Sequence, residues 1–483
     1  MIERTNEDSL DGAPPERWIV AEGRHTQNRR RADTGAGFVQ NGRAPGNGSG
    51  GRGDGSNPRW KHAAWRNRAP DSIVRKIATL SEPASKELIL KRGEERRLRA
   101  GHLWVFSNEV DVARTPLAAF EPGEEAILRA QGGKPLGRVY VNPHSLICAR
   151  LFSRAADRSL GESLLVHRLN VALSLRRRLF DGTCYRLVHG EADGLPGLVV
   201  DRFGDVTVAQ INTAGMERHI DALVTALRRV IGSEHVLLRC DAAIRELEGL
   251  ERYVRWADTE GPEQLRIEEN GARFEAPSVT GQKTGWYYDH AANRARLQRM
   301  VHGARVLDLF SYVGAWGIEA AVAGAADVTT VDASSDAADW VGHNAELNDV
   351  DDRVTVACGD VFEVLGALRE DHERFDVVVA DPPAFIKRRK DYRRGLEAYQ
   401  RLNRLCLQVL AKDGLLVSAS CSAQLREADF VSAMLRAARH VDRSMQIVEF
   451  GQQGPDHPVH PAIPETRYIK AAFARVLPAD SNP

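Results

Sequence analysis

Residues 304–332 read ARVLDLFSYVGAWGIEAAVAGAADVTTVD, and the fold turns on how this stretch is read. An apolar run from Arg305 to Phe310 ends at a short turn that carries Gly314. Trp316 to Ala323 is alanine-rich and helical in character, and Asp327 to Val331 is a second β-branched run that stops at Asp332. Parallel strands need a crossover of this kind, so the stretch is a strand, turn, helix, strand unit. Gly314 and Gly317 are expected to let the backbone pass close to a ligand where a Cβ would collide. The helix that follows offers free N–H groups to an anionic group. Asp332, roughly 20 residues beyond the turn, can accept both hydroxyls of a ribose. The unit reads as a nucleoside-cofactor site; the plainer alternative is an ordinary α/β unit with a glycine turn.

The turn, Asp308-Leu-Phe-Ser-Tyr-Val-Gly314-Ala-Trp-Gly317, lacks the G-x-G-x-x-G of dinucleotide folds. An acidic residue at its start would repel a pyrophosphate. Asp308 suits instead the ammonium of S-adenosylmethionine (SAM).

Downstream the alternation continues. Helices are expected over 336–348, 361–368, 392–410 and 427–438, with strands over 354–357, 375–380, 415–419, 445–450 and 468–476. This is a doubly wound sheet that finishes with an antiparallel edge. Ligands of such sheets lie outside the carboxyl ends of the strands, where Asp308, Asp332, Asp360, Asp381 and Cys421 all fall. Asp360 can accept from an adenine amino group. Pro382-Pro383 makes a turn without N–H groups, and Phe385 offers a flat face to a base. Lys387, Arg388, Arg389 and Lys390, with Arg393 and Arg394, form a basic loop suited to RNA phosphates. Cys421 sits between two serines at a strand end, which favours reactivity over the buried state usual for a free cysteine. Asp456-His-Pro-Val-His460 holds two histidines without further ligand spacing, so a rigid loop outweighs a metal site. Upstream, 264–276 is a hairpin about Asn270-Gly271. Gly281 to Arg294, with Tyr287, Tyr288 and Asp289 beside a glycine pair, reads as a cofactor lid rather than a linker.

The rest of the 483-residue chain divides by composition. Residues 1–81 are rich in Gly, Asn, Ser and Arg and poor in apolar residues, and are expected to be a disordered basic extension. Residues 86–155 read as a small, mostly β module in which Lys91, Arg92, Arg96, Arg97 and Arg99 are candidate phosphate contacts. Residues 160–262 read as an α+β domain without a catalytic constellation, and 264–483 as the cofactor-binding domain. Lys+Arg and Asp+Glu are both 66, so net charge identifies no partner. The six cysteines show no C-x-x-C spacing, which excludes a zinc ribbon and points to a reducing cytosol. No apolar run reaches the roughly 18 residues of a spanning helix. A soluble cytoplasmic protein with no metal and no membrane partner is expected.

From about Lys86 onward the chain resembles the ribosomal RNA large subunit methyltransferase I family. The motifs that carry this are Gly101-His-Leu-Trp-Val-Phe-Ser-Asn108, Gln282-Lys-Thr-Gly285 with Asp289 and Arg294, Asp308-Leu-Phe-Ser-Tyr-Val-Gly314, Asp381-Pro-Pro-Ala-Phe385, Ser420-Cys-Ser422, Asp456-His-Pro458 and Tyr468-Ile-Lys470. The chain departs from the pattern in its long basic extension and at Ala471, where glycine is expected. The resemblance implies a PUA domain, a central α+β domain and a Rossmann-like class I methyltransferase that makes 5-methylcytosine in 23S rRNA, and also a homodimer. Tyr287, Asp289, Arg294, Asp308, Phe310, Gly314, Asp332, Asp360 and Asp381 are then the cofactor set. Pro382, Pro383, Phe385, Lys387, Arg388, Arg389, Lys91, Arg92 and Arg97 meet RNA, and Cys421 and Asp381 are catalytic. C5 of cytosine becomes nucleophilic once a thiolate adds to C6, which gives Cys421 its role. Two rivals stand beside this reading. One is N-methylation of an rRNA base such as guanine N7, which needs no cysteine. The other is a non-catalytic RNA-binding protein that retains a SAM fold.

Overall fold

A computed structural model describes residues 86–479, and the basic extension expected over 1–81 lies outside the described residues. The first module is a five-stranded sheet ordered Glu87–Ile89, Glu124–Arg129, Pro135–Val141, Ala149–Ser153, Trp104–Val105. Alternate residues Ala126, Leu128, Val139 and Val141 are buried with Leu88, Leu98 and Leu151. The turn at Gln131-Gly132-Gly133 joins its central hairpin, as its glycines suggest.

The central sheet is ordered Tyr253–Trp256, His235–Cys240, Val206–Ile211, Leu198–Phe203, Cys184–His189. Period-two patterning gives it two apolar faces. Ala209 and Leu238 pack under the helices Glu162–Leu179 and Ile220–Ile231. Val208 and Leu237 join the core of the C-terminal region. The segment from Tyr185 to Ile211 thus contributes three strands. The turn at Gly190–Asp193 lets Leu198–Phe203 pair back on both neighbours.

After the hairpin Gln264–Glu269 and Ala272–Pro277 comes a seven-stranded sheet. Its strands are β1 (Arg305–Leu309), β2 (Asp327–Asp332), β3 (Val354–Cys358), β4 (Phe375–Ala380), β5 (Leu410–Ser420), β6 (Arg443–Gly451) and β7 (Lys470–Pro478). The order is β3-β2-β1-β4-β5-β7-β6, with β7 antiparallel to both neighbours and one position in from the edge. The crossover helices are α1 (Ala315–Val322), α2 (Ser335–Leu347), α3 (Val361–Glu370), α4 (Tyr392–Val409) and α5 (Glu427–Arg439). The near-continuous apolar runs of β1 and β4 are buried on both faces, as parallel strands between helix layers must be. Ala471, the departure noted above, faces Gly451 across the ladder, and the missing Cβ there accommodates it.

Candidate functional site

A cavity of about 490 Å³ opens at the carboxyl ends of β1, β2, β4 and β5, within the ~300–1,000 Å³ of small-molecule sites. Its lining includes Phe310, Ser311 and Tyr312 after β1, Asp332 after β2, Asp381 to Ala384 after β4 and Cys421 after β5. Lys283, Tyr287, Asp289, His290 and Arg294 close it from the expected lid, and Tyr468 from the segment before β7. Lys283, Phe310 and Tyr312 have φ of +48°, +64° and +51°. Three non-glycine residues in the left-handed region around one cavity mark backbone strain held for function.

The turn after β1 works differently from its sequence reading. Gly314 (φ +90°) and Gly317 do not line the cavity. A Cβ on Gly314 would press on Ile318 and Val341, and one on Gly317 would meet Thr330 Cγ2 at 2.8 Å. Gly314 makes room for α2 beside the start of α1, and Gly317 lets α1 pack on β1 and β2. Asp308 is likewise beneath the floor, 0% exposed, with Oδ2 accepting from the Gly317 N–H at 2.9 Å and Oδ1 unpartnered. Burial, then repulsion from Asp381 and Asp332, pushes its carboxyl up to about 8, against the Gly317 hydrogen bond. Direct contact between Asp308 and an ammonium is thus not formed in this geometry. Asp332 does line the cavity, steadied by the N–H groups of Tyr312 (2.9 Å) and Ser334 (3.0 Å).

The lid is pinned to that turn. The Tyr312 hydroxyl accepts from Gln282 N at 3.1 Å and donates to Gly285 O, while Tyr287 donates to Gln282 Oε1 at 2.8 Å. Arg294, expected to touch the cofactor, spends its guanidinium elsewhere. It lies between buried Glu269 and Glu319, with Nε at 2.8 and 3.0 Å, and also donates to Tyr287 O. It latches the hairpin, the lid and α1 together. Burial and the neighbouring Glu269 push the Glu319 carboxyl well up. Burial also works against Asp289 as a carboxylate, but Lys283, His290, His457 and the Tyr468 hydroxyl (2.7 Å) outweigh it and hold Asp289 below the usual range.

Asp381 Oδ2 accepts from the Trp316 indole at 3.1 Å, and Oδ1 lies 3.5 Å from His290 Nε2. Cys421 is half-buried on the adjacent strand end. Its flanking serines fix the turn instead of activating the thiol. Ser420 Oγ donates to the Tyr399 hydroxyl, which bonds Ser422 Oγ, and Ser422 Oγ accepts from Ile386 N. The ammonium of buried Lys470 donates to Ser422 O at 2.7 Å. Burial pushes the Cys421 thiol up to about 11; Lys283 opposes this, and Asp381 and Asp289 add to it. The opposing cation therefore comes from the lid, not from the basic loop at 387–394.

Several expected contacts lie apart from the cavity. Asp360 caps α3, its Oδ1 accepting from Phe362 N and Glu363 N. Phe385 is half-buried, packs on Tyr399 with ring centroids 4.8 Å apart and does not line the cavity. Pro382 and Pro383 do line the cavity, and Lys387, Arg388 and Arg389 are exposed beyond it. In the first module Arg97 pairs with Glu109 at 2.7 Å and covers Phe106, which removes it from the free cations. Lys91 and Arg92 remain exposed, with Lys91 donating to Asn108 O. Sequence reading assigned no individual site role to Lys283, His290, Trp316 or Tyr468, although Lys283 and His290 lie in the expected lid and Tyr468 opens a quoted motif.

Buried polar atoms without a partner gather here: Ser311 Oγ, Asp289 Oδ1 and His290 Nε2 on lining residues, and Asp308 Oδ1 below. These, with Asp332, fit a ligand that carries a ribose and a cationic amino-acid end. The sheet order, the acidic strand ends and this cavity define a SAM-dependent class I methyltransferase. The family model for S-adenosylmethionine-dependent methyltransferases matches residues 178–470, and that for PUA-like domains matches 88–154. Ribosomal RNA large subunit methyltransferase I of Erwinia tasmaniensis is 37% identical over 396 residues, 81% of this chain and 99% of that protein. The Cronobacter sakazakii protein of the same name is 35% identical over 398 residues, 81% of this chain and 100% of its own length. A solved SAM-dependent methyltransferase from Streptococcus mutans shares the fold at TM-score 0.68 and 21% identity, over 81% of this chain and 100% of that one. A methyltransferase solved with S-adenosylhomocysteine gives the same TM-score at 22% identity, over 81% of this chain and 100% of that one. The chain belongs to the ribosomal RNA large subunit methyltransferase I family. Its methyl donor is SAM.

Proposed function

We propose that the protein methylates C5 of a cytosine in large-subunit (23S) ribosomal RNA through a covalent adduct with Cys421. The observation that carries this is the shared cavity of Cys421 and Asp381, which stand at the ends of adjacent strands β5 and β4 beside Pro382 and the cofactor residues. Bound SAM supplies an electrophilic methyl group on a sulfonium, so the protein has only to make C5 nucleophilic. Cys421 Sγ, after losing its proton, bonds to C6, and the electron pair of the C5–C6 double bond makes C5 enamine-like. C5 then takes the methyl group. A base removes the C5 proton, and the returning pair expels Sγ. Asp381, oriented by the Trp316 indole, is suited to the N3/N4 edge of the base. Asp332 holds the ribose of the donor, and the exposed Lys387, Arg388 and Arg389 meet RNA phosphates.

One observation favours the N-methylating rival: burial pushes the Cys421 thiol up to about 11, so resting enzyme holds it protonated. Nucleoside mass spectrometry decides between them. Unmodified large-subunit rRNA incubated with enzyme and SAM should gain 5-methylcytidine, and Cys421→Ala should not produce it. A methylated purine in its place would overturn the assignment.

A further inference from the structure

Away from the methyl-transfer cavity, a cleft of about 450 Å³ separates the PUA-like sheet from the helix Glu162–Leu179 of the central region. Its apolar walls include Phe152, Val171 and Leu175, and two of these are unusually open, Val171 at 51% and Leu175 at 36% exposure. Two arginines face it. Arg154 and Arg168 have no carboxylate partner among the described residues, and each reaches one backbone carbonyl at 3.5 Å, His102 O and Phe152 O. The acids of the cleft are already committed. Asp193 is bound by both terminal nitrogens of Arg176, and Glu191 takes the Trp104 indole N–H at 2.7 Å. Burial, joined at Arg168 by repulsion from Arg158, pulls both guanidinium values down with no acidic group opposing. Arg168 is nonetheless fixed in place. Its guanidinium lies on Gly194, where a Cβ would come within 3.0 Å of Nη1.

Two guanidiniums without carboxylate partners over an apolar wall make a site for a phosphodiester and its unpaired base. The cleft also adjoins the reaction centre in sequence. Its turn Gly190–Asp193 follows His189, which walls a cavity of about 230 Å³. That cavity shares Lys283, Tyr287, Asp289 and Tyr468 with the methyl-transfer site.

We propose that this cleft is a second RNA subsite, which seats an unpaired nucleotide of the substrate strand with its phosphodiester on Arg154 and Arg168. The proposal rests on RNA being the substrate. It adds that the strand is gripped at a second point, between the PUA-like sheet and the central region.

The test uses full-length enzyme and an unmodified large-subunit rRNA transcript. Arg154→Gln with Arg168→Gln should raise the RNA KM roughly tenfold at moderate salt and lower the slope of log affinity against log salt by about 0.7, the contribution of one single-strand phosphate. The kcat at saturating RNA and the SAM affinity should hold within about twofold, because phosphate contacts position without entering the chemistry. Val171→Glu, which keeps both arginines and alters an exposed wall, should raise the RNA KM as well. It therefore reads the cleft even if the double variant folds poorly. Wild-type enzyme that neither binds nor methylates the transcript would sink the RNA reading and the subsite together. If wild type binds and methylates while these variants match its KM and salt slope, only the subsite is wrong. Competition by inorganic phosphate as strong as by RNA would also overturn it, since the site would then take free anions rather than a strand.

Discussion

Asp308 offers a perturbation whose sign and size follow from its burial. Its carboxyl is raised from 3.8 to about 8, roughly four units at about 1.4 kcal/mol each. The folded protein therefore holds a proton that the unfolded chain releases between those values. Stability falls as pH rises through that window, by on the order of 5 kcal/mol once both states are ionised. Asp308→Asn can still accept from Gly317 N but cannot ionise. The variant should therefore be more stable than wild type at pH about 9, with the advantage shrinking towards pH about 4. Cofactor binding should show the converse. The sulfonium and ammonium of SAM bring positive charge above this carboxyl and favour its ionised form. Calorimetry near pH 7 in buffers of different ionisation enthalpy should show roughly 0.5–1 proton released per SAM bound by wild type, and close to none by the variant. The variant should bind SAM about tenfold more weakly, near 1.4 kcal/mol. A variant less stable than wild type at high pH, or SAM binding by wild type without proton release, would refute this reasoning.

Three further outcomes follow from the site. Asp332→Ala should weaken SAM by about 1.5–3 kcal/mol through loss of charge-assisted ribose hydrogen bonds, and unchanged affinity by calorimetry would remove Asp332 from the site. Arg294→Met leaves Glu269 and Glu319 facing each other in the core, and should cost about 3–5 kcal/mol in denaturant unfolding, with partial recovery on adding Glu319→Gln. A cost below about 1 kcal/mol would mean the latch is not formed. Lys283→Met removes the cation that opposes burial at Cys421, so the alkaline rise of the methyl-transfer rate, already set high by a thiol near 11, should move further up in pH. An unshifted profile would show that Lys283 does not tune the thiol.

The doubly wound sheet was legible because β1 and β4 are near-continuous apolar runs buried on both faces and several strands lead directly into a residue with chemistry. Asp332, Asp381 and Cys421 stood out for that reason, and all three line one cavity. The roles of Asp308, Arg294 and Arg97 were not legible. Each is decided by a partner distant in the chain or by depth in the core: Gly317 and the turn above it, Glu269 with Glu319, and Glu109. A charged side chain next to a motif looks the same in sequence whether it meets ligand or a buried counter-charge. Short strands escaped for a simpler cause. Trp104–Val105 and Tyr253–Trp256 are too brief to show a period and exist through pairing with neighbours. β5 begins at Leu410, five residues before its apolar run, because Leu410 pairs with Phe375 ahead of the Asp413-Gly414 irregularity.

The adduct on Cys421 is the centre of the account, and a mechanism-based trap reads it directly. Large-subunit rRNA containing 5-fluorocytidine should, with SAM, form a methylated covalent complex with wild-type enzyme that survives a denaturing gel. Loss of fluorine from C5 is blocked, so Sγ cannot leave. Peptide mapping should place the link at Cys421, and Cys421→Ala should give no such band while still binding SAM and RNA. Wild-type enzyme that methylates ordinary rRNA but forms no complex with the fluorinated RNA, or a Cys421→Ala enzyme that methylates at near wild-type rate, would contradict the account.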